Sequence, residues 1–166
     1  MQTIAVQDAN ILIDLIKTGL FDHCLALPFS FTTTNIIMDE LIEEQAAVIE
    51  PHINSGKFSV IKITADELGE IMLLSEENTS LSEQDWSAYY YAQKKSSLLL
   101  TGDKRLRTIA ESKGIIVCGI LWVFDRLVEN GVLSEEEACT NLKILKNINK
   151  RIPQTEYEKR IKNWCK

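Results

Sequence analysis

Residues 81–107, LSEQDWSAYYYAQKKSSLLLTGDKRLR, read as one helix, a turn and one strand. Ser82 followed three positions later by Asp85 is a helix-start pattern, because each side chain can satisfy the other residue's free backbone N–H. The apolar run at 98–101 has the length of a buried strand, and Leu106, Ile109 and Ala110 then resume helical spacing. Asp103 follows that strand directly, eighteen residues after Asp85.

Outward from this unit the same alternation continues. Four more short, β-leaning runs lie at 3–6, 29–33, 58–63 and 115–118. Between them apolar residues fall at helical intervals: Ile11, Leu12, Leu15 and Ile16; Ile36, Ile37, Leu41 and Ile42; Leu68, Ile71 and Met72. Thr64 with Glu67 and Ser134 with Glu137 are capping boxes, and Gly114 and Gly131 sit where helices would stop. Strands alternating with helices predict an α/β fold: a three-layer α/β/α sandwich around a mostly parallel, roughly five-stranded sheet. Beyond about residue 119 only helical patterns remain, at 120–130, 135–149 and 155–164, with Pro153 parting the last two. The expectation is a single domain over 1–166, with a core to about 130 and a helical extension over about 131–166.

Composition excludes several classes. With 166 residues, 45% of them hydrophobic, and a mean hydropathy of −0.05, the chain is ordinary globular material. Its longest nearly apolar run, 115–124, is half of the ~20 residues a membrane span needs. The N-terminal MQTIAVQDAN has no basic head before a long apolar stretch, so a cytoplasmic location is expected. Cys24, Cys118, Cys139 and Cys165 lack zinc-ligand spacing and are expected as reduced, mostly buried thiols. Net charge is −6, unevenly spread: residues 143–166 carry eight Lys or Arg against two Glu, +6, and the rest carries −12. Such a body repels nucleic acid unless cations intervene, whereas the tail attracts it. The tail is expected either to supply phosphate contacts through Lys159, Arg160 and Lys162, or to dock on an acidic surface. Two apolar faces, Ile144, Leu145 and Ile148 on one helix and Ile161, Trp164 and Cys165 on the next, must be buried.

In open parallel sheets ligands bind beyond the carboxyl ends of the strands. Asp8 and Asp103 follow strands closely, while Glu40 and Asp85 are expected in helices that follow a strand or loop. Four converging carboxylates without basic partners are costly unless cations sit among them. Mg²⁺ or Mn²⁺ suits oxygen ligands, and paired ions of this kind can activate water and stabilise the leaving oxygen in phosphodiester hydrolysis. Each acid also has a plain structural reading. Asp8 and Asp103 are good N-caps, Asp85 can complete a capping box, and Glu40 can be a solvated helix acid. Asn10 and Thr101 are candidates for orienting the carboxylates. Lys94, Lys95, Lys104, Arg105 and Arg107 are candidates for phosphates or a solvated helix face. Tyr89, Tyr90 and Tyr91 are read as packing rather than as base-stacking residues.

Taken together these motifs resemble the PIN domain family of metal-dependent ribonucleases, which includes VapC-type toxins. VQDANILIDL, with Asp8 and Asn10, is similar to its opening motif; Thr34-x-x-Ile37-x-x-Glu40 to its second; and residues 81–107 to the unit joining its third and fourth acids. The run LTGDKRLRTIAESKGI followed by Gly119 resembles a subgroup with a helical C-terminal extension. Trp86 stands where the family usually has a small residue, and Tyr89–Tyr91 stand where small apolar residues are common. The resemblance covers about residues 3–130. It implies Mg²⁺ or Mn²⁺ on Asp8, Glu40, Asp85 and Asp103 and endonucleolytic cleavage of single-stranded or loop RNA; a toxin role within the family would add an antitoxin partner and a homodimer. The rival reading is a PIN-like scaffold that binds RNA or a protein without cutting.

Overall fold

β1 (Thr3–Gln7) and β4 (Leu98–Leu100) lie side by side in the middle of the sheet, with Ala5, Val6, Leu99 and Leu100 fully buried. Strands covered on both faces carry such runs rather than an alternating pattern. In this computed structural model, which describes residues 2–166, the sheet is completed by β2 (Phe29–Thr34), β3 (Ser59–Ile61) and β5 (Val117–Cys118). The order is β3-β2-β1-β4-β5 and every pairing is parallel. β3, expected over 58–63, is shorter because its ladder matches only Thr32–Thr34 of β2.

The helices form the outer layers. On one face α1 (Ala9–Lys17), α2 (Phe21–Leu25), α4 (Glu43–Asn54), α8 (Ile120–Glu129) and α9 (Glu135–Ile148) pack together. On the other face α5 (Ala65–Glu77), α6 (Glu83–Lys95) and α7 (Lys104–Ser112) do so. This is the expected three-layer α/β/α arrangement. The capping boxes of Thr64 with Glu67 and Ser134 with Glu137 both form, starting α5 and α9.

Two expectations about the extension are corrected. Cys139 and Cys165 are joined as a disulfide rather than reduced, while Cys24 and Cys118 are free. The cause is topological. α9 and α10 (Gln154–Trp164) fold back on each other, so residues 26 apart in sequence meet at one end of the hairpin with Cα atoms 5.4 Å apart. Secondly, of the face Ile144, Leu145 and Ile148 only Leu145 is buried; Ile144 and Ile148 remain 43% and 38% exposed. Ile161 and Trp164 are half-buried against the core. Arg160 is not free. Its Nε and Nη2 donate to the two carboxylate oxygens of Asp125 on α8 at 2.8 and 2.6 Å, and Nη1 reaches Glu156 at 2.9 Å. The tail therefore docks on an acidic residue of the body through a two-pronged charged bond. Free Cys24 is chemically quiet, because burial pushes its thiol up to about 12.

Candidate functional site

Chain connections from β1 run one way, to β2 and β3, and from β4 the other way, to β5. The crevice between the carboxyl ends of β1 and β4 is thus the switch point where open parallel sheets bind ligands. Asp8 leaves β1 here, its backbone N–H donating to the Leu100 carbonyl of β4 at 3.0 Å. Its side chain is 2% exposed. One carboxylate oxygen caps α1 by accepting from the Ile11 N–H at 2.9 Å, and the other accepts from the Thr101 hydroxyl. Thr101 also accepts from the Asp103 N–H at 3.0 Å. A single buried hydroxyl therefore ties the two strand-end acids together. Asp103 in turn caps α7, accepting from the Leu106 N–H at 2.8 Å.

The cap readings of Asp8 and Asp103 are both correct in geometry, and they fix the carboxylates at the edge. Asp85 completes its capping box: it accepts from the Ser82 N–H at 3.1 Å and from the Ser82 hydroxyl at 2.9 Å. Glu40 departs from expectation. It lies in a turn and not in a helix, because α3 (Asn35–Met38) closes with tight i→i−3 bonds, Glu40 N–H to Ile37 at 3.0 Å and Leu41 N–H to Met38 at 3.1 Å. The Thr34 and Ser87 hydroxyls, 2.7 Å apart, join the start of α3 to α6 and so set Glu40's segment beside Asp85's. Ser87, two residues after Asp85, carried no sequence signal, because its burial against Thr34 is decided by how α6 packs on the sheet.

Electrostatics link the four. Desolvation pushes the Asp8 carboxyl up to about 7, opposed by its Thr101 and Ile11 hydrogen bonds and assisted by the charges of Asp85 and Asp103. Glu40 is also raised, first by partial burial and then by the charge of Asp85. None of the four has a Lys, Arg or His partner within 4.0 Å among the described residues. Nor do three His, Cys, Asp or Glu side chains stand close enough there to hold one ion as they are placed. Each aspartate is held by its own cap bond. The donor chemistry nevertheless fits a hard divalent cation: every candidate is a carboxylate oxygen, and Mg²⁺ is usually held by one or two carboxylates plus waters and substrate phosphates.

The basic candidates divide. Lys104 is exposed beside Asp103, and Asn10 is exposed on α1. Arg105 reaches the Ser80 carbonyl at 3.4 Å. Arg107 is a structural tie, donating to the carbonyls of Val117 at 3.0 Å and Thr101 at 3.4 Å, and lying near Glu111. Lys94 pairs with Glu67 at 2.6 Å, nine residues along α6 from Asp85, about 13 Å of helix. Lys94 and Lys95 each sit over a tyrosine ring, Tyr90 and Tyr91. Tyr89 and Tyr91 are buried in the core, as the packing reading expects. Trp86 is buried too, its indole N–H bonding the Asn78 carbonyl at 3.2 Å.

A family model described as a PIN domain (DUF3368) matches residues 4–166. The chain belongs to the PIN domain family. PIN domain proteins are in general nucleases. No curated protein matches the sequence significantly. Among solved structures, PAE2754 from Pyrobaculum aerophilum aligns with a TM-score of 0.52 and 20% identity, over 76% of this chain and 90% of its own. A PilT N-terminus domain protein, SSO1118 from Sulfolobus solfataricus P2, aligns at 0.45 and 14%, over 76% and 94%. VapBC2 from Rickettsia felis, solved bound to a DNA fragment from its promoter, aligns at 0.46 and 13%, over 70% and 98%. The first of these supports the fold.

Among the described residues no helix is long and apolar enough to cross a membrane.

Proposed function

We propose that this PIN domain protein is a divalent-metal-dependent endoribonuclease, acting as one domain whose helical extension is docked on its core. The observation that carries the reading is Asp8. A carboxylate 2% exposed, without a cationic partner among the described residues, is joined through Thr101 to Asp103 at the sheet's switch point. A group so placed is an unfavourable anion in the protein by itself and a favourable one beside Mg²⁺ or Mn²⁺. Asp8 and Asp103, with Asp85 and Glu40 as further ligands, would hold the cation. Bound there, it would supply Lewis-acid stabilisation of the phosphodiester and a water activated at neutral pH.

The protein's own part is positioning. Thr101 and the caps of α1 and α7 hold two carboxylates at the edge in fixed rotamers, so little reorganisation is needed when charge develops. No side chain is required as a covalent nucleophile, and single-stranded or looped RNA presents its phosphates most openly. The toxin role, an antitoxin partner and a homodimer go with this reading as proposals drawn from the family resemblance, and a cytoplasmic setting as one drawn from the N-terminal sequence. The test is cleavage of mixed RNA with and without Mn²⁺, comparing wild type with Asp103→Asn. Cleavage that needs both Mn²⁺ and Asp103 supports the proposal. A folded protein that binds RNA but never cuts it supports the silent scaffold instead.

A further inference from the structure

A groove of about 980 Å³ opens directly beside Thr101 and Gly102, between the core and the extension. One side is α1 and the start of α7; the other is the turn between α9 and α10. Six cations and two acids line it, in a chain whose net charge is −6. Of the cations, Arg107 is committed to backbone carbonyls and Arg160 to Asp125 and Glu156. That leaves Lys17, Lys104, Lys150 and Arg151, all exposed and with no carboxylate within 4.0 Å among the described residues. The two acids are partly spent: Asp14 accepts from the Asn149 amide at 2.8 Å, and Glu156 is paired with Arg160. Four exposed cations without carboxylate partners, facing one groove of an acidic protein, make a local site for a polyanion.

The floor narrows the class. Ile120, Leu121 and Trp122 line the groove, and Ile148, left 38% exposed at the end of α9, faces it. Cations beside apolar and aromatic surface suit a strand whose bases are unpaired, because bases rest on such surfaces while phosphates meet the charges. A duplex keeps its base faces stacked inside, away from such a surface. We propose that this groove binds single-stranded nucleic acid, with phosphates on Lys17, Lys104, Lys150 and Arg151, and leads the strand to Asp8 and Asp103. The inference rests on the nuclease reading for its direction, but its binding step does not. It also gives the extension a use: Lys150 and Arg151, in the turn of the hairpin, are its contribution, and the outer face of α10 with Lys159 and Lys162 is not.

The test measures binding of a short fluorescein-labelled oligouridylate by anisotropy, without divalent cations, so that no cleavage occurs. Lys150→Ala with Arg151→Ala is compared with Lys159→Ala with Lys162→Ala, which removes equal charge outside the groove. The groove pair should weaken binding about tenfold and reduce the salt slope by about 1.4, the value for two single-strand phosphate contacts. The α10 pair should change neither. Equal losses in the two variants, or no loss in a folded groove variant, would overturn the inference. So would polyglutamate displacing the RNA at equal charge concentration, which would make the groove a site for acidic protein. Wild type that binds RNA through the groove but shows no Mn²⁺-dependent cleavage would sink the nuclease reading alone; cleavage with unaltered groove-variant binding would sink this one alone.

Discussion

Replacing Asp8 by Asn should stabilise the metal-free protein at alkaline pH and not at acid pH. Burial raises the folded-state carboxyl from 3.8 to about 7. Between those values the folded state holds a proton that the unfolded chain has released, so stability falls as pH rises through this window. The shift of about three units corresponds to about 4 kcal/mol lost by pH 8. Asn removes that charge and can still cap α1, since Asn and Asp cap equally well. Its amide must present a donor toward Thr101, whose hydroxyl now donates to Asp8, and reversing that bond costs about 1 kcal/mol. The net gain is about 3 kcal/mol, a rise of about 6–12 °C in Tm for a chain of this size. Thermal unfolding of both proteins in chelator at pH 8 and pH 5 measures it. The wild type should close most of the gap at pH 5, where its own Asp8 is protonated. A variant less stable than wild type at pH 8, or a gain independent of pH, would refute the reasoning, because Asp8 would then be only a cap.

Thr101→Val keeps the shape but strands the Asp103 N–H and one Asp8 oxygen, so urea unfolding should show a loss of about 1–3 kcal/mol. Arg160→Met breaks the partly buried pair with Asp125, whose side chains are 16% and 27% exposed. The loss should be about 1–3 kcal/mol, between surface and buried values, and limited proteolysis should then release α10. Reducing Cys139–Cys165, which closes a 26-residue span, should cost about 3 kcal/mol by chain entropy, read as a drop in Tm with reductant. Mn²⁺ should raise the Tm of wild type and much less that of Asp8→Asn.

The strand-helix alternation was legible because β1 and β4 are nearly continuous apolar runs with acids at their ends, and Thr64, Ser82 and Ser134 announce helix starts by local chemistry. Asp8 and Asp103 were legible as site candidates for the same reason: position after a strand is a one-dimensional fact. Glu40 was misplaced because Ile36, Ile37, Leu41 and Ile42 keep helical spacing through a chain that tightens and turns at Asp39. Thr101 was named as an orienting group, but its bridge between two acids depends on strand register. The disulfide and the Arg160–Asp125 pair were illegible, since each joins elements whose meeting is decided by how α9 and α10 fold back. The groove was hidden likewise: Lys17, Lys104 and Lys150 are distant in sequence and neighbours only once the extension docks.

A divalent cation is expected at the Asp8–Thr101–Asp103 edge. Anomalous diffraction from crystals grown with Mn²⁺ tests it most directly. A manganese peak should lie within about 2.0–2.3 Å of an oxygen of Asp8 or Asp103 and be lost in Asp8→Asn. Manganese bound only elsewhere, or no peak at this edge at saturating metal, would contradict it.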